Sequence, residues 1–482
     1  MIFTSIAFLF YFLPVLLILY YSLGLISIRL RNALLLVFSF IFYAWGEPRN
    51  IILLVGCCAT NWLAAILISK FGKYKKLFLI FDCMANLGIL FLFKYLNFTV
   101  GSVNGLLSVM GGKVSLSVPE LLLPIGISFF TLQALSYVID VYRGDAKVQK
   151  NPFYVALYIA MFPKVAAGPV VQYKQMENQI IHRVHTWEKF EAGIVRFVCG
   201  LGKKLLLADT FAIVADNVYA MTMAGHQQMK IPMLLAWLGS FAYTLQIFYD
   251  FSAYSDMALG LGNMFGFSFT ENFNYPYISK SFSEFWRRWH ISLSDWFRDY
   301  VYTPLGGSSV DNADVMVRNL LIVWILTGLW HGAAWTFILW GLYNFALILL
   351  ERLFKYEKNM HISSAWKHVF TLFLINFGWV LFRSENLYQY KEFMGNLFGL
   401  NHNGFYNEYL WLFLKEYAIF WGAGLLFCIP IGKWVKRRLA KYRKVSVIGN
   451  TVIYPICMTG LFIICIMYLV KRGSSPFIYF NF

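Results

Sequence analysis

Apolar stretches recur along almost the whole chain, and they limit the possible folds more than any other feature. Windows long enough, or nearly so, to cross about 30 Å of hydrocarbon lie at 3–23, 32–46, 50–69, 77–97, 119–141, 153–167, 190–212, 232–250, 318–350, 366–383, 408–431 and 447–470. Several fall short of the ~20 residues a helical span needs, so the pattern predicts about eleven spans in an all-α polytopic membrane fold. The region 318–350 reads as a tilted helix, a kinked one, or a span followed by an interfacial turn. No long polar block separates the windows, so 1–482 is expected to form one membrane domain. Hydrophobic residues make up 59% of the chain and charged residues 13%. Soluble domains run at about 45–50% and about 25%, which excludes a water-soluble fold.

The net charge of +17 is first a matter of topology, because basic loops stay in the cytoplasm. The densest run, 433–444, carries seven positive residues in twelve. Apolar spans flank it on both sides, which favours a cytoplasmic loop over a nucleic-acid patch. The loop 70–76 is expected on the same face. Span 447–470 would then deliver the segment 471–482 to the outer face. Lys471 and Arg472 argue the other way but are outnumbered. The seven cysteines lie mostly in apolar runs without CxxC spacing, so neither a disulfide framework nor a zinc site is expected. The stretch 3–23 lacks a basic leader and reads as a retained span.

Between 251 and 310 the character changes. Gly260, Gly262, Gly266, Pro276, Pro304, Gly306 and Gly307 punctuate a stretch that keeps its aromatics and gains polar residues. Irregular backbone at membrane depth needs shielding by protein or a water-filled cavity, so re-entrant or interfacial helices lining a cavity are expected here.

Six of the eight histidines have ordinary explanations: His182 and His185 in a polar loop, and His226, His361, His368 and His402 near span ends. His331 lies in the apolar run Trp324-Ile-Leu-Thr-Gly-Leu-Trp330-His331-Gly332-Ala-Ala-Trp335, where an ionisable group is costly. On a helix, Trp324, Thr327, Gly328, His331 and Trp335 share a face, and Gly328 with Gly332 admits a close neighbour. A histidine packed on a carbonyl beside a helix contact fits the same spacing. His290 follows Ser281-Phe-Ser-Glu284-Phe-Trp-Arg287-Arg288-Trp289, where Ser281 and Glu284 form a capping box and Glu284 pairs with Arg288 along one helix. An interfacial anchor helix is the alternative for that segment. Two shielded, neutral imidazoles suit acyl transfer, in which one takes the proton of a hydroxyl attacking a thioester. Nearby arginines suit the phosphates of a coenzyme A or phosphopantetheine donor. No metal site is expected.

Several segments resemble the membrane-bound O-acyltransferases, within them the bacterial alginate O-acetyltransferase-like branch. They include Phe162-Pro-Lys-Val-Ala-Ala-Gly-Pro169, Gly200-Leu-Gly-Lys-Lys-Leu-Leu-Leu-Ala-Asp209, Tyr249-Asp-Phe-Ser-Ala-Tyr-Ser-Asp-Met-Ala-Leu-Gly260, Glu271-Asn-Phe-Asn-Tyr-Pro-Tyr277, Phe285-Trp-Arg-Arg-Trp-His-Ile-Ser-Leu-Ser294 and Thr327-Gly-Leu-Trp-His-Gly-Ala333. The resemblance implies a ring of helices around a thin centre with a tunnel, where a cytoplasmic donor meets an extracytoplasmic acceptor. It makes His331 the essential histidine and places His290 in the same tunnel, with Arg287, Arg288, Trp289, Trp330 and Ser294 as donor or substrate contacts. Ala253 stands where the pattern has Gly, which implies looser packing there. The segment Phe477-Ile-Tyr479-Phe-Asn-Phe482 resembles the aromatic ending of this branch. Tyr479 is accordingly either an acyl carrier or part of an aromatic plug.

The resemblance thus implies an O-acetyltransferase of the bacterial plasma membrane that moves acetyl from acetyl-CoA to an extracytoplasmic polysaccharide, an alginate-like exopolysaccharide or another cell-wall polymer. An esterase-like, SGNH-type acyltransferase is the implied partner. A lipid or protein acceptor, an acyl carrier protein donor, and a transporter of the donor remain as alternatives.

Overall fold

The computed structural model describes residues 1–23, 27–111, 115–118, 121–222, 230–307, 312–356, 361–439, 441–442, 449–473 and 475–478. Every regular element among them is helical. By length and composition seven of these helices are able to cross a membrane: Ile28–Gly46, Ile51–Lys70, Gly72–Val109, Ala313–His331, Trp335–Leu353, Ser364–Arg383 and Thr451–Arg472. An eighth span results if Glu408–Glu416 and Ala418–Phe427, bent by 67°, are taken together. The protein is an all-α, multi-pass membrane protein.

The expectation of about eleven spans exceeds this number for local reasons. The window 119–141 yields a helix of 17 residues, Ile127–Arg143. The window 153–167 breaks at Met161 into Pro152–Ala160 and Phe162–Val165. The window 232–250 belongs to a 32-residue helix, Met233–Met264, in which Gln246, Asp250, Ser252 and Ser255 are buried. That helix runs through Gly260 and Gly262, so Phe251 to Met264 continue a regular element. Irregular backbone begins only after Met264. A glycine tolerated within a helix is often a contact position, and a Cβ on Gly262 would strike the Phe269 ring.

The described chain forms two compact units. The first comprises Met1–Gly193 and Ala258–Thr270. In it, Ile51–Lys70 and Lys75–Leu90 pack on Ile127–Arg143, and the buried amides of Asn61 and Asn86 bond each other at 3.1 and 3.2 Å. Amide pairs of this kind hold helices together where apolar burial gives little preference. His182 is exposed, but His185 is not a solvated loop residue. Its ring bonds Tyr20 Oη at 2.7 Å and Arg31 at 2.9 Å.

The second unit comprises Ile194–Met257 and Glu271–Ile478. Packing at Ala253 is tight because the small residue stands on the opposite helix. A Cβ on Gly200 would lie 2.8 Å from the Ala253 carbonyl oxygen. The region 318–350 is neither one kinked helix nor a span with a turn. Ala313–His331 and Trp335–Leu353 are two helices joined by 332–334. A Cβ on Gly328 would lie 2.5 Å from the Phe337 carbonyl oxygen, and one on Gly341 would strike the Trp324 carbonyl oxygen. Those pairings run in opposite directions along the chain, so the helices form an antiparallel hairpin with backbones in contact. Gly332, extended at φ −170°, leaves room for the Phe337 ring.

Gly328→Ala and Gly341→Ala are each expected to destabilise the protein by about 1–3 kcal/mol through overpacking. Gly460→Ala, with open space around its Cα, serves as the control. Thermal unfolding of the detergent-solubilised protein checks this. Equal midpoints for the three variants would contradict the hairpin contact.

Candidate functional site

His331 is the last helical residue before the hairpin turn and is 3% exposed. Its ring meets those of Trp330 and Trp340 at 5.0 Å each and Phe382 at 5.2 Å, all near perpendicular. Trp340 comes from the second hairpin helix and Phe382 from Ser364–Arg383, so three elements enclose the imidazole. Trp335, expected on the His331 face, instead opens the second helix and is exposed.

His290 is 2% exposed and sits at a break. The sequence predicts one helix from Ser281 onward, but Phe282–Arg288 ends there and Ile291–Phe297 begins. His290 joins them at φ 46°, ψ 51°, in the left-handed region. For a residue with a Cβ such backbone costs about 1–3 kcal/mol and persists only where its surroundings impose it. Here Asn274 N–H donates to the Arg288 carbonyl at 3.0 Å and Ile291 N–H to the Asn272 carbonyl at 3.0 Å, so the 272–274 segment brackets the break. Arg196 in turn bonds Asp256 at 2.9 Å and Glu271 at 2.5 Å, which pins the residue before Asn272.

The Asn272 side chain determines which proton His290 carries. Its Oδ1 accepts from Ser292 Oγ at 2.9 Å and from Ser292 N–H at 3.3 Å, while its Nδ2 donates to Ser255 Oγ at 3.0 Å. With the amide so oriented, His290 Nδ1 at 3.1 Å from Oδ1 is the donor, and Nε2 is the acceptor of the neutral ring. Burial pushes the imidazole down to about 3, so it is neutral at physiological pH. An unprotonated Nε2 on a fixed ring can accept a hydrogen bond from a hydroxyl.

The two histidines share one wall. The His290 ring packs on Trp330, the neighbour of His331, at 5.8 Å, and on Phe251 at 4.6 Å. Trp289 is buried between Phe285, Phe273 and Trp379, with rings 5.6, 5.1 and 4.7 Å away. Arg288 pairs with Glu284 at 2.9 Å and donates to the Asn274 carbonyl at 3.0 Å. Arg287 and Ser294 are exposed on their helices, whereas Ser292 is the buried serine beside Asn272. Ser281 Oγ accepts from Glu284 N–H at 3.1 Å as expected of the capping box, but Glu284 reaches back one residue further, to Lys280 N–H at 2.9 Å. Tyr479 and His226 lie outside the described residues, as does part of the basic run 433–444.

Three contributors are absent from the sequence expectations. Asn272 stands 18 positions before its histidine, so no spacing rule links them. Phe382 belongs to a separate span. Glu351 is buried near the end of the second hairpin helix and accepts from Phe282 N–H at 2.6 Å and Ser283 N–H at 3.1 Å. A carboxylate among apolar helices was the available signal.

The fold and the site together define a multi-pass helical membrane protein with two enclosed imidazoles on adjoining elements. Comparison with known proteins makes this specific. Residues 146–383 match the membrane-bound O-acyltransferase family. The probable alginate O-acetylase AlgI of Pseudomonas putida is 43% identical over 401 residues, 83% of this chain and 80% of that protein. The peptidoglycan O-acetyltransferase of Helicobacter pylori is 33% identical over 440 residues, covering 83% and 80%. The teichoic acid D-alanyltransferase of Bacillus subtilis is 28% identical over 280 residues, covering 54% and 69%. The chain belongs to the membrane-bound O-acyltransferase family.

With His290 held neutral, its titration leaves no inflection in the pH dependence of acyl transfer between pH 5 and 8. Asn272→Asp puts a carboxylate beside Nδ1, raises the imidazole's pKa and introduces one. A pH–rate profile of both proteins checks this. A wild-type inflection that His290→Gln abolishes would overturn the assignment.

Proposed function

We propose that the protein is an O-acetyltransferase of the bacterial plasma membrane. It moves acetyl from a cytoplasmic thioester, acetyl-CoA, toward an extracytoplasmic polysaccharide such as an alginate-like exopolysaccharide or another cell-wall polymer. The observation that carries this reading is the enclosure of His331 beside His290 in a chain so similar to a probable alginate O-acetylase.

His331 acts as general base. It takes the proton of the acceptor hydroxyl as that oxygen bonds the thioester carbonyl carbon. The C–S bond then breaks, and the departing thiolate takes up the proton to give free coenzyme A. The neutral His290, with Nε2 as acceptor, orients the reacting groups. Trp289 and Trp330 wall the site. Arg287, exposed on its helix, meets the donor's phosphates, and Arg288 and Ser294 are further donor contacts. In this reading Tyr479 receives the acetyl group and passes it to an extracytoplasmic SGNH-type partner. The names of the relatives support a polymer as the final acceptor over a lipid or a protein.

General bases contribute about 10²–10⁴-fold, so His331→Ala at normal membrane abundance is expected to lower polymer acetylation in cells at least ~100-fold. Polymer with its full acetyl content would remove His331 from the role of base.

A further inference from the structure

The segment 475–478 is seated on a buried ionic cluster that the proposed chemistry does not use. Lys204, whose side chain is 3% exposed, holds its ammonium 2.7 Å from Asp250 Oδ1 and 2.9 Å from Asp209 Oδ1. Residues 475–478 complete this cluster. Lys204 Nζ donates to the Pro476 carbonyl at 3.0 Å, and Ile478 N–H donates to Asp250 Oδ2 at 2.8 Å. Ser475 Oγ donates to Asp209 Oδ1 at 2.7 Å. Between these bonds the buried Phe477 ring lies 4.7 Å from the Lys204 ammonium and edge-on to Tyr254 at 5.0 Å.

An aromatic segment that only needed burial would require no charges. Taking an ammonium and two carboxylates out of water is expensive, and buried ions are best rationalised where they fix register. Here they fix four consecutive residues, because sliding the segment by one position would take the Pro476 carbonyl from the Lys204 ammonium, the Ser475 hydroxyl from Asp209 and the Phe477 ring from its place between Lys204 and Tyr254. The register also matters to the histidine site. Asp250 and Tyr254 hold the segment on one face of the helix, one turn apart. Their neighbours Phe251 and Ser255 form another face, Phe251 packing on His290 and Ser255 bonding Asn272. One helical turn therefore carries both the wall of His290 and the seat of 475–478.

We propose that Lys204, Asp209 and Asp250 are positioning residues. They hold 475–478 in fixed register beside the His290 wall, and acyl transfer through Tyr479, the next residue in the chain, depends on that hold. This inference rests on the function proposed above.

The test uses the full chain in detergent and in cells. Lys204→Met removes the ammonium, and Lys204→Arg keeps a cation. Ile478→Pro removes the N–H that Asp250 accepts and changes no residue of the buried cluster, which covers the case that Lys204→Met fails to fold. Amide exchange is followed by mass spectrometry on the peptide containing 475–478, with the peptide 313–331 as reference, and polymer acetylation is measured at matched abundance. Lys204→Met and Ile478→Pro are expected to speed exchange in the first peptide alone and to lower acetylation at least ~10-fold. Lys204→Arg is expected to restore both. Exchange reports on the seat whatever reaction the protein performs, so a segment that stays protected in Lys204→Met and Ile478→Pro overturns the clamp itself. A released segment with wild-type acetylation overturns its use in the reaction.

Discussion

The carboxylate of Glu351 accepts from the first backbone N–H groups of the helix Phe282–Arg288, and the relation between the two histidines depends on that contact. A helix that begins among apolar side chains presents unsatisfied N–H groups that water cannot reach. Glu351 belongs to the hairpin whose other arm ends in His331, and the helix it caps leads directly into His290. One interaction therefore ties the two histidine-bearing elements together. The backbone contact at Gly328 and Gly341 holds the hairpin closed, and the 272–274 segment holds the break at His290 open.

Much of this was legible in the sequence, and what was not has physical causes. Periodicity and composition specify apolar helices well, and a histidine in an apolar run marks its own importance. The hairpin was hidden because its turn, Gly332, Ala333 and Ala334, has a single glycine and no Pro, Asn, Asp or Ser beside it. Gly332 is there for the ring of Phe337, which lies in the next helix. The break at His290 was hidden for the opposite reason. Ser281, Glu284 and Arg288 all favour a helix, and they do form one, but His290 leaves it because Asn272 and Asn274, remote in sequence, claim the backbone beside it. Gly260 and Gly262 suggested an interruption where none exists. Small residues serve close approach as readily as they serve turns.

The polar groups of the second unit are arranged by what they hold. Asn272 and Ser292 fix a tautomer, Arg196 anchors Glu271, and Lys204 with its two carboxylates seats 475–478. Each lies on or against the long helix Met233–Met264 or the segment it leads into. Its buried polar side chains dilute its apolar character and serve as the wall on which the site is built.

The central claim is that His331 removes the proton that lets a hydroxyl take acetyl from a thioester. The most direct measurement reconstitutes the wild-type protein and His331→Gln in vesicles with acetyl-CoA supplied on the donor side, and follows free coenzyme A outside and intact donor inside. The account predicts free coenzyme A from the wild type alone, with no acetyl-CoA entering the lumen. Equal release by His331→Gln, or accumulation of intact acetyl-CoA within the vesicles, would contradict it.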